Sequence, residues 1–409
     1  MKKGFILCLF ALGYAVFGAE ITVPELDLAS RGAMEGGDFN ISSSMEAVIA
    51  IDGGYKYGFS LGLGAEIPNL QKAFSYGRME LPYASLGVPD QDEYEALIDA
   101  LNNQAVVSIR SLSATVREIF GAPLEASFFI GRYDTLGSGD EFPDYFGVEP
   151  IGTGLRGFYY YPEGLNGDPF LRFNGAMHNI MGTGLAFKAM FGSIVPVLYI
   201  YHDLSFPDET SSKKGAFKPG CFSADLKLLI NSENAKFELF MGGTYVHHGN
   251  VVLRGGALAW LGTGPVSFLI QAGITAYEVE SDISLDNFYF LMEPRLRFAY
   301  FGATFTFFFH PVFYMNKTIM DGTNRDRGRA DFSLKLFFGD INKSTFEAGL
   351  ESIVNMKMYE GEEYNIWISP FFSTVTTGLR WDFALRFNPR YFWDKGELME
   401  GFIGIRTSF

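Results

Sequence analysis

From Asn287 to Ala299 the chain alternates, residue by residue, between two kinds of surface. Phe288, Phe290, Met292, Leu296 and Phe298 fall on one side, interrupted only by Pro294, while Tyr289, Leu291, Glu293, Arg295 and Arg297 fall on the other. A period of two marks a strand, because successive side chains leave opposite faces of the pleat. Arg380–Phe387 repeats the design, with Trp381, Phe383, Leu385 and Phe387 opposed to Arg380, Asp382, Ala384 and Arg386. Asp331–Phe338 sets Phe332, Leu334, Leu336 and Phe338 against Asp331, Ser333 and Lys335. Asp225–Ile230 and Lys236–Met241 do the same over shorter spans. A soluble antiparallel sheet can also keep one face wet. Here strand follows strand with large rings on one face, and short turns leave no helices to cover them. The pattern predicts an all-β chain closed into a transmembrane antiparallel barrel.

Connection lengths support this. Read back from the carboxy terminus, longer connections at 388–397, 357–363, 316–329, 278–286 and 204–219 alternate with tight ones. The tight ones fall at 375–377, 340–343, 300–302, 262–265 and 231–234, and His248–Asn250 is a short exception on the long side. One-sided loops are what a membrane barrel needs. The count comes to about nineteen candidate strands, and an even number is expected, so the reading is about 18 with 16 or 20 as alternatives. The surplus lies between Gln104 and His178.

The last twelve residues, Leu398–Phe409, form a short alternating strand that stops on an aromatic residue. Phe409, Thr407, Ile405, Ile403 and Gly401 share one face, and Ser408, Arg406, Gly404, Phe402 and Glu400 the other. This strand resembles the last strand of bacterial outer-membrane β-barrel proteins, and the mature chain resembles the porins by architecture rather than by any family motif. The resemblance implies an outer-membrane location, lipid as solvent, and Phe409 as the assembly signal read by the barrel-assembly machinery. Resemblance to the general porins further implies a trimer. The amino terminus agrees: Met1-Lys2-Lys3, an apolar run from Phe5 to Phe17, then Gly18 and Ala19 look like a secretory signal peptide over residues 1–19. Residues 20–409 then form one barrel domain. Beyond the signal no uninterrupted apolar run of about 18 residues remains. Ala186–Tyr201 is broken by Lys188 and Pro196, and Gly256–Leu269 by Gly262, Gly264 and Pro265.

Composition then makes sense. The chain is 48% hydrophobic and 16% aromatic, with 42 Phe and 21 Tyr, and a barrel turns such rings toward lipid. Net charge is −15, and loss of Lys2 and Lys3 lowers it by two to −17, which disfavours nucleic acid. Cys221 alone survives in the mature chain, so no intrachain disulfide forms. The histidines at 178, 202, 247, 248 and 310 lack metal-ligand spacing, and Asp321, Asn324 and Asp326 break calcium-loop spacing. No cofactor is expected. His178 and His202 show no catalytic partner in the sequence, so no enzyme is expected either.

A barrel of this size is too wide for wall side chains to fill, and an aqueous lumen follows unless something enters it. Two insertions are candidates. The first runs over 68–104, where Asp90 and Glu93 fit a capping box and Tyr94, Leu97, Ile98 and Leu101 form an apolar stripe. The second, Thr135–Gly152, carries Asp140, Glu141, Asp144 and Glu149 beside Phe142, Tyr145 and Phe146. It is a candidate constriction loop, loosely resembling the eyelet loop of general porins. Arg295, Arg297, Lys335, Arg380, Arg386 and Arg406 are candidate pore-lining cations from four strands. Glu293, Asp331, Glu347, Glu351 and Asp382 are interspersed as partners. A midplane Arg or Lys in lipid costs about 2–4 kcal/mol, so these charges face inward. The expected function is passive diffusion of small hydrophilic solutes. The alternatives are a fatty-acid-transporter-like barrel for hydrophobic compounds and a non-conducting adhesin or anchor.

Overall fold

The computed structural model describes residues 20–21, 25–35, 38–52, 57–67, 106–153, 178–203, 221–245, 251–279, 282–283, 287–310, 329–340, 345–357, 364–391 and 399–407. The alternating segments become strands β1 (Glu25–Glu35), β2 (Asp38–Asp52), β3 (Tyr57–Ile67), β4 (Val106–Val116), β5 (Leu124–Leu136) and β6 (His178–Ala189). Then come β7 (Ile194–Asp203), β8 (Phe222–Asn231), β9 (Ala235–Tyr245), β10 (Val251–Thr263), β11 (Val266–Glu278) and β12 (Phe288–Arg297). The last six are β13 (Phe301–His310), β14 (Arg329–Gly339), β15 (Phe346–Lys357), β16 (Tyr364–Thr376), β17 (Leu379–Phe387) and β18 (Met399–Thr407).

Each strand pairs antiparallel with the next, and β18 pairs with β1 from Glu400↔Ala33 to Arg406↔Asp27. The sheet therefore has no edge: it is a closed barrel of 18 strands, as the even count requires. A further pair of residues, Glu20–Ile21, meets Asp52 and Ile51 and continues the line that β1 takes up at Glu25↔Val48. Between Gln104 and His178 the described residues contain only β4 and β5, so the surplus candidate strand is absent from them.

Connections are mostly long at one end of the barrel and short at the other, the two-residue link from β1 to β2 being an exception at the long end. At the short end, Gly264-Pro265 joins β10 to β11, and Thr377-Gly378 joins β16 to β17. Thr377 and Gly378 both take positive φ (52° and 78°), the twist that a two-residue hairpin turn demands. The longest gaps, between β3 and β4 and between β5 and β6, lie at the other end.

Burial follows the alternation. Outward residues such as Leu226, Leu239, Leu334, Phe338, Phe383 and Ile403 are exposed, whereas Asp225, Lys227, Glu238, Glu293, Ser333 and Asp382 are buried inside the ring. On the outer face rings meet across strands, as in Phe307–Phe332 (centroids 5.0 Å apart) and Phe301–Phe338 (5.5 Å), contacts that knit neighbouring strands laterally. Among the described residues no helix is long and apolar enough to cross a membrane, so any crossing is by strands.

The β5–β6 register slips between Arg132 and Asp134. Before the slip Ser127 and Phe129 are buried while Phe128 and Ile130 are exposed; beyond it Asp134 and Leu136 are buried. One extra residue thus reverses the parity of β5 and brings Asp134 inward, which strict alternation would not do. Residues 68–104, with the proposed helix, lie outside the described residues, as do the signal segment and Phe409.

Candidate functional site

Beyond Leu136 the chain does not leave the barrel. Residues 137–153 run down the inner wall, and the wall holds them at several points. Gly137 and Gly139, both at positive φ (76° and 70°), aim successive backbone N–H groups at one carboxylate. Gly137 N donates to Glu238 Oε1 (2.6 Å) and Gly139 N to Glu238 Oε2 (2.9 Å). Gln271 Nε2 donates to the Gly137 carbonyl (2.6 Å), and Tyr289 donates from its hydroxyl to Gln271 Oε1. Gly139 has no room for a side chain, since a Cβ would sit 2.7 Å from Ile151. Backbone groups turned away from water inside a barrel need such partners, which explains buried Glu238 and Gln271.

Next comes a one-turn helix, α1 (Phe142–Phe146), with Pro143 in its first turn and Gly147 closing it at φ 60°. Glu141, just before it, meets two wall lysines: Lys227 Nζ at 2.8 Å and Lys188 Nζ at 3.4 Å. Lys188 also donates to the Tyr145 hydroxyl and lies over the Tyr145 ring (4.9 Å). Lys227 is fully buried and reaches Asp134 (3.1 Å) and Glu238 (3.7 Å) as well. Burial pushes the Glu141 carboxyl up, but Lys227 and Lys188 more than offset it and hold it at about 2. Asp144 is raised from its ordinary value by partial burial and by Glu141, with Lys188 opposing.

The far end is fastened to β12. Arg295 Nη2 donates to the carbonyls of Gly152 (2.5 Å) and Ile151 (3.3 Å) while pairing with Glu293 (2.7 Å). Glu293 also accepts from Thr153 (2.5 Å) and from Thr306 on β13 (2.7 Å). Between the anchors, Leu136, Phe142 and Ile151 pack with Leu229, Leu258, Leu269 and Leu291 as a sealed apolar cluster inside the barrel. The loop therefore thickens the wall from β5 to β12, and Asp140, Asp144 and Glu149 are exposed on it, Asp140 accepting from Thr135 (3.4 Å).

The remaining candidate charges are spread rather than gathered. Lys335 pairs with Glu347 (3.1 Å) and lies over the Phe371 ring (4.6 Å), while Ser333 donates to Glu351 (3.0 Å). Arg297 pairs with Asp340 (3.6 Å). Arg380 pairs with Asp382 (2.9 Å), which also accepts from Ser373 (2.6 Å). Arg386 is fully buried with its guanidinium 4.0 Å over Trp367. Arg406 stands opposite Arg380 in the β17–β18 register. Sequence reasoning missed Asp134, Lys188, Lys227, Glu238 and Gln271 as loop anchors. Alternation placed Lys227 and Glu238 inward, yet nothing local tells which carboxylate or amide each one meets.

A second buried network lies on β7–β10. Arg254 donates to Asp225 (2.5 and 2.6 Å) and to Thr244 (2.7 Å), and Ser223 donates to Asp203 (2.8 Å). His178 Nε2 lies 2.9 Å from the Tyr201 hydroxyl and 3.7 Å from Asp203. Among the described residues no cluster of three or more His, Cys, Asp or Glu is arranged to hold a metal.

No protein-family model matches the chain, and no curated protein matches it by sequence. Solved structures do. OccAB2 of Acinetobacter baumannii aligns with a TM-score of 0.50 at 10% identity, covering 94% of this chain and 97% of that one. OccAB4 of the same organism aligns with a TM-score of 0.50 at 8% identity, covering 95% and 98%. Both are bacterial outer-membrane porins, and at such identity the likeness establishes the porin-like barrel fold.

Proposed function

We propose that the protein is an outer-membrane porin, a passive channel for small hydrophilic solutes narrowed by the segment 137–153. The observation that carries this reading is the fixed inward loop: a closed ring with an apolar outside holds a segment of its own chain within its bore. Such a ring is wide enough for water without the loop, and the loop, fastened between β5 and β12, takes up part of that width. Its anchors are spent on the wall, and Asp140, Asp144 and Glu149 remain exposed. Arg297, Lys335 and Arg380, near the short turns, keep 42%, 15% and 22% side-chain exposure and are proposed to line the inner mouth. In this reading residues 1–19 direct export, the carboxy-terminal strand engages the assembly machinery, and short turns face the periplasm.

The apolar cluster inside the barrel is the one feature that favours a carrier of hydrophobic compounds. Its space is already filled: Phe142 and Ile151 of the loop occupy it at 0% and 2% exposure. It is a core that seats the loop, which leaves the diffusion reading the stronger. Swelling of liposomes containing the refolded protein tests it, using sugars of increasing size. Entry that falls off with solute size supports a constricted channel; exclusion of every sugar by folded protein overturns it.

A further inference from the structure

Around the ring the inward side chains differ sharply in how far they are covered. Phe129, Lys227, Gln271, Phe308, Ser369 and Asp382, drawn from six strands between β5 and β17, are each at most 1% exposed. The inner faces of β1–β4 are different. Asp27 is exposed, and Glu46, Ala50, Ser60, Ser113 and Thr115 are only half-buried. Their inward direction follows from register: Ala50 pairs with Ser60, Ser60 with Ser113, and Ser113 with the sealed Phe129. Thr115 bonds to buried Ser127 across the same face (2.8 Å).

Gly58, Ser60, Gly62 and Gly64 occupy successive inward positions of β3, and shorter wall groups there are overlain by Arg117 at Gly58, Ser111 at Gly62 and Arg110 at Gly64. In a ring of 18 strands β1–β3 stand across from β10–β12, and the loop is held on β11 by Gln271 and on β12 by Arg295. Among the described residues, the loop thus leaves space beside β1–β4.

We propose that solutes pass through this off-centre gap, between the exposed face of the loop and the inner faces of β1–β4. The inference rests on the channel reading above and gives it a path and a solute preference. Its floor carries the hydroxyls of Ser60, Ser113 and Thr115. Carboxylates flank it on both sides: Asp27, Glu46 and Asp52 on the wall, and Asp140, Asp144 and Glu149 on the loop. Basic residues enter the same arc: by register Arg31 holds an inward position on β1 and Arg406 stands opposite Asp27. Arg117 is bound to Asp52 (2.8 Å) and Glu125 (3.3 Å), and Arg110 lies over Gly64. Acid exceeds base along the gap, and it is the constriction that sets selectivity. The path suits cations and neutral polyhydroxylated molecules and holds anions back.

Cysteine modification in planar bilayers tests the path. In a Cys221→Ser background, Ser60→Cys and Ser113→Cys place thiols on the gap, and Ser369→Cys places one on the sealed arc. A charged thiol reagent added to open channels is expected to lower conductance by about half at 60 and 113 and to leave 369 unchanged. The double variant Asp27→Asn with Glu46→Gln is expected to shift the reversal potential away from cation preference. Unchanged conductance after modification at 60 and 113 in a channel that still conducts overturns the path alone. An unmoved reversal potential overturns the preference. A correctly folded barrel that never conducts removes the channel reading and this path with it.

Discussion

Three carboxylates converge on the ammonium of Lys227, those of Asp134, Glu141 and Glu238, and all four groups lie inside the barrel. Removing the cation leaves several buried anions facing one another, whereas removing one carboxylate leaves the cation still paired. Lys227→Met should therefore destabilise the folded protein by about 3–5 kcal/mol. Glu141→Gln, which keeps shape and loses charge, should cost about 1–3 kcal/mol. Urea unfolding in detergent checks the order, and equal costs would contradict the assignment of Lys227 as the hub. The same pair makes a pH prediction. Glu141 is held at about 2 against an ordinary value of 4.5, a depressed carboxyl. Its contribution is thus complete above pH 4.5 and is lost as pH falls from there through about 2. Channel noise from a loosened loop should rise only in that acid window, and a rise already above it would point to another group. Of this site the sequence disclosed the loop acids and the inward facing of Lys227. The pairing itself is between residues far apart in the chain, and no local pattern encodes it.

At the scale of elements, a period of two was enough to place β8, β9, β12, β14, β17 and β18 and to say which face each turns outward. Large rings opposed to charges leave one consistent solution when one solvent is lipid. The reading fails where the period breaks. On β5 the extra residue between Arg132 and Asp134 reverses the parity, and propensity gives no warning of it. The slip adjoins Gly131, which sits at φ 83° with the Arg110 carbonyl 2.3 Å from where a Cβ would be. Gly131→Val should be poorly tolerated, combining strain at that φ with a backbone clash; its folded yield should fall well below that of Gly121→Val, where φ is 74° but space is open. Equal yields would show that the bulge is not held by Gly131. For the outer face, Leu239→Arg should cost about 2–4 kcal/mol of folding stability in liposomes. An unchanged stability would mean that β9 does not face lipid there.

For the whole molecule, closure was legible because one-sided loops and a polar interior require an even ring. For the bore, the sequence offered Thr135–Gly152 as a candidate constriction loop, but what fastens it was not legible. A charged wall promised an open lumen with a basic flank, but Glu293 and Arg295 are engaged in holding the loop, and Arg386 is covered. Inward facing follows from the cost of charge in lipid, whereas access to water depends on which segment folds back against the wall. Fastening at both ends by Glu238 and Arg295 makes the loop a fixture, and its removal from the wall should widen or unsettle the channel.

Single-channel recording of the refolded protein in a planar bilayer tests this account most directly, comparing the natural chain with the double variant Glu238→Ala, Arg295→Ala. Stable, ohmic openings are expected for the natural chain, and larger or flickering openings once both anchors are gone. Folded, heat-modifiable natural protein without conductance would contradict the channel; identical traces from both proteins would contradict the loop as its constriction.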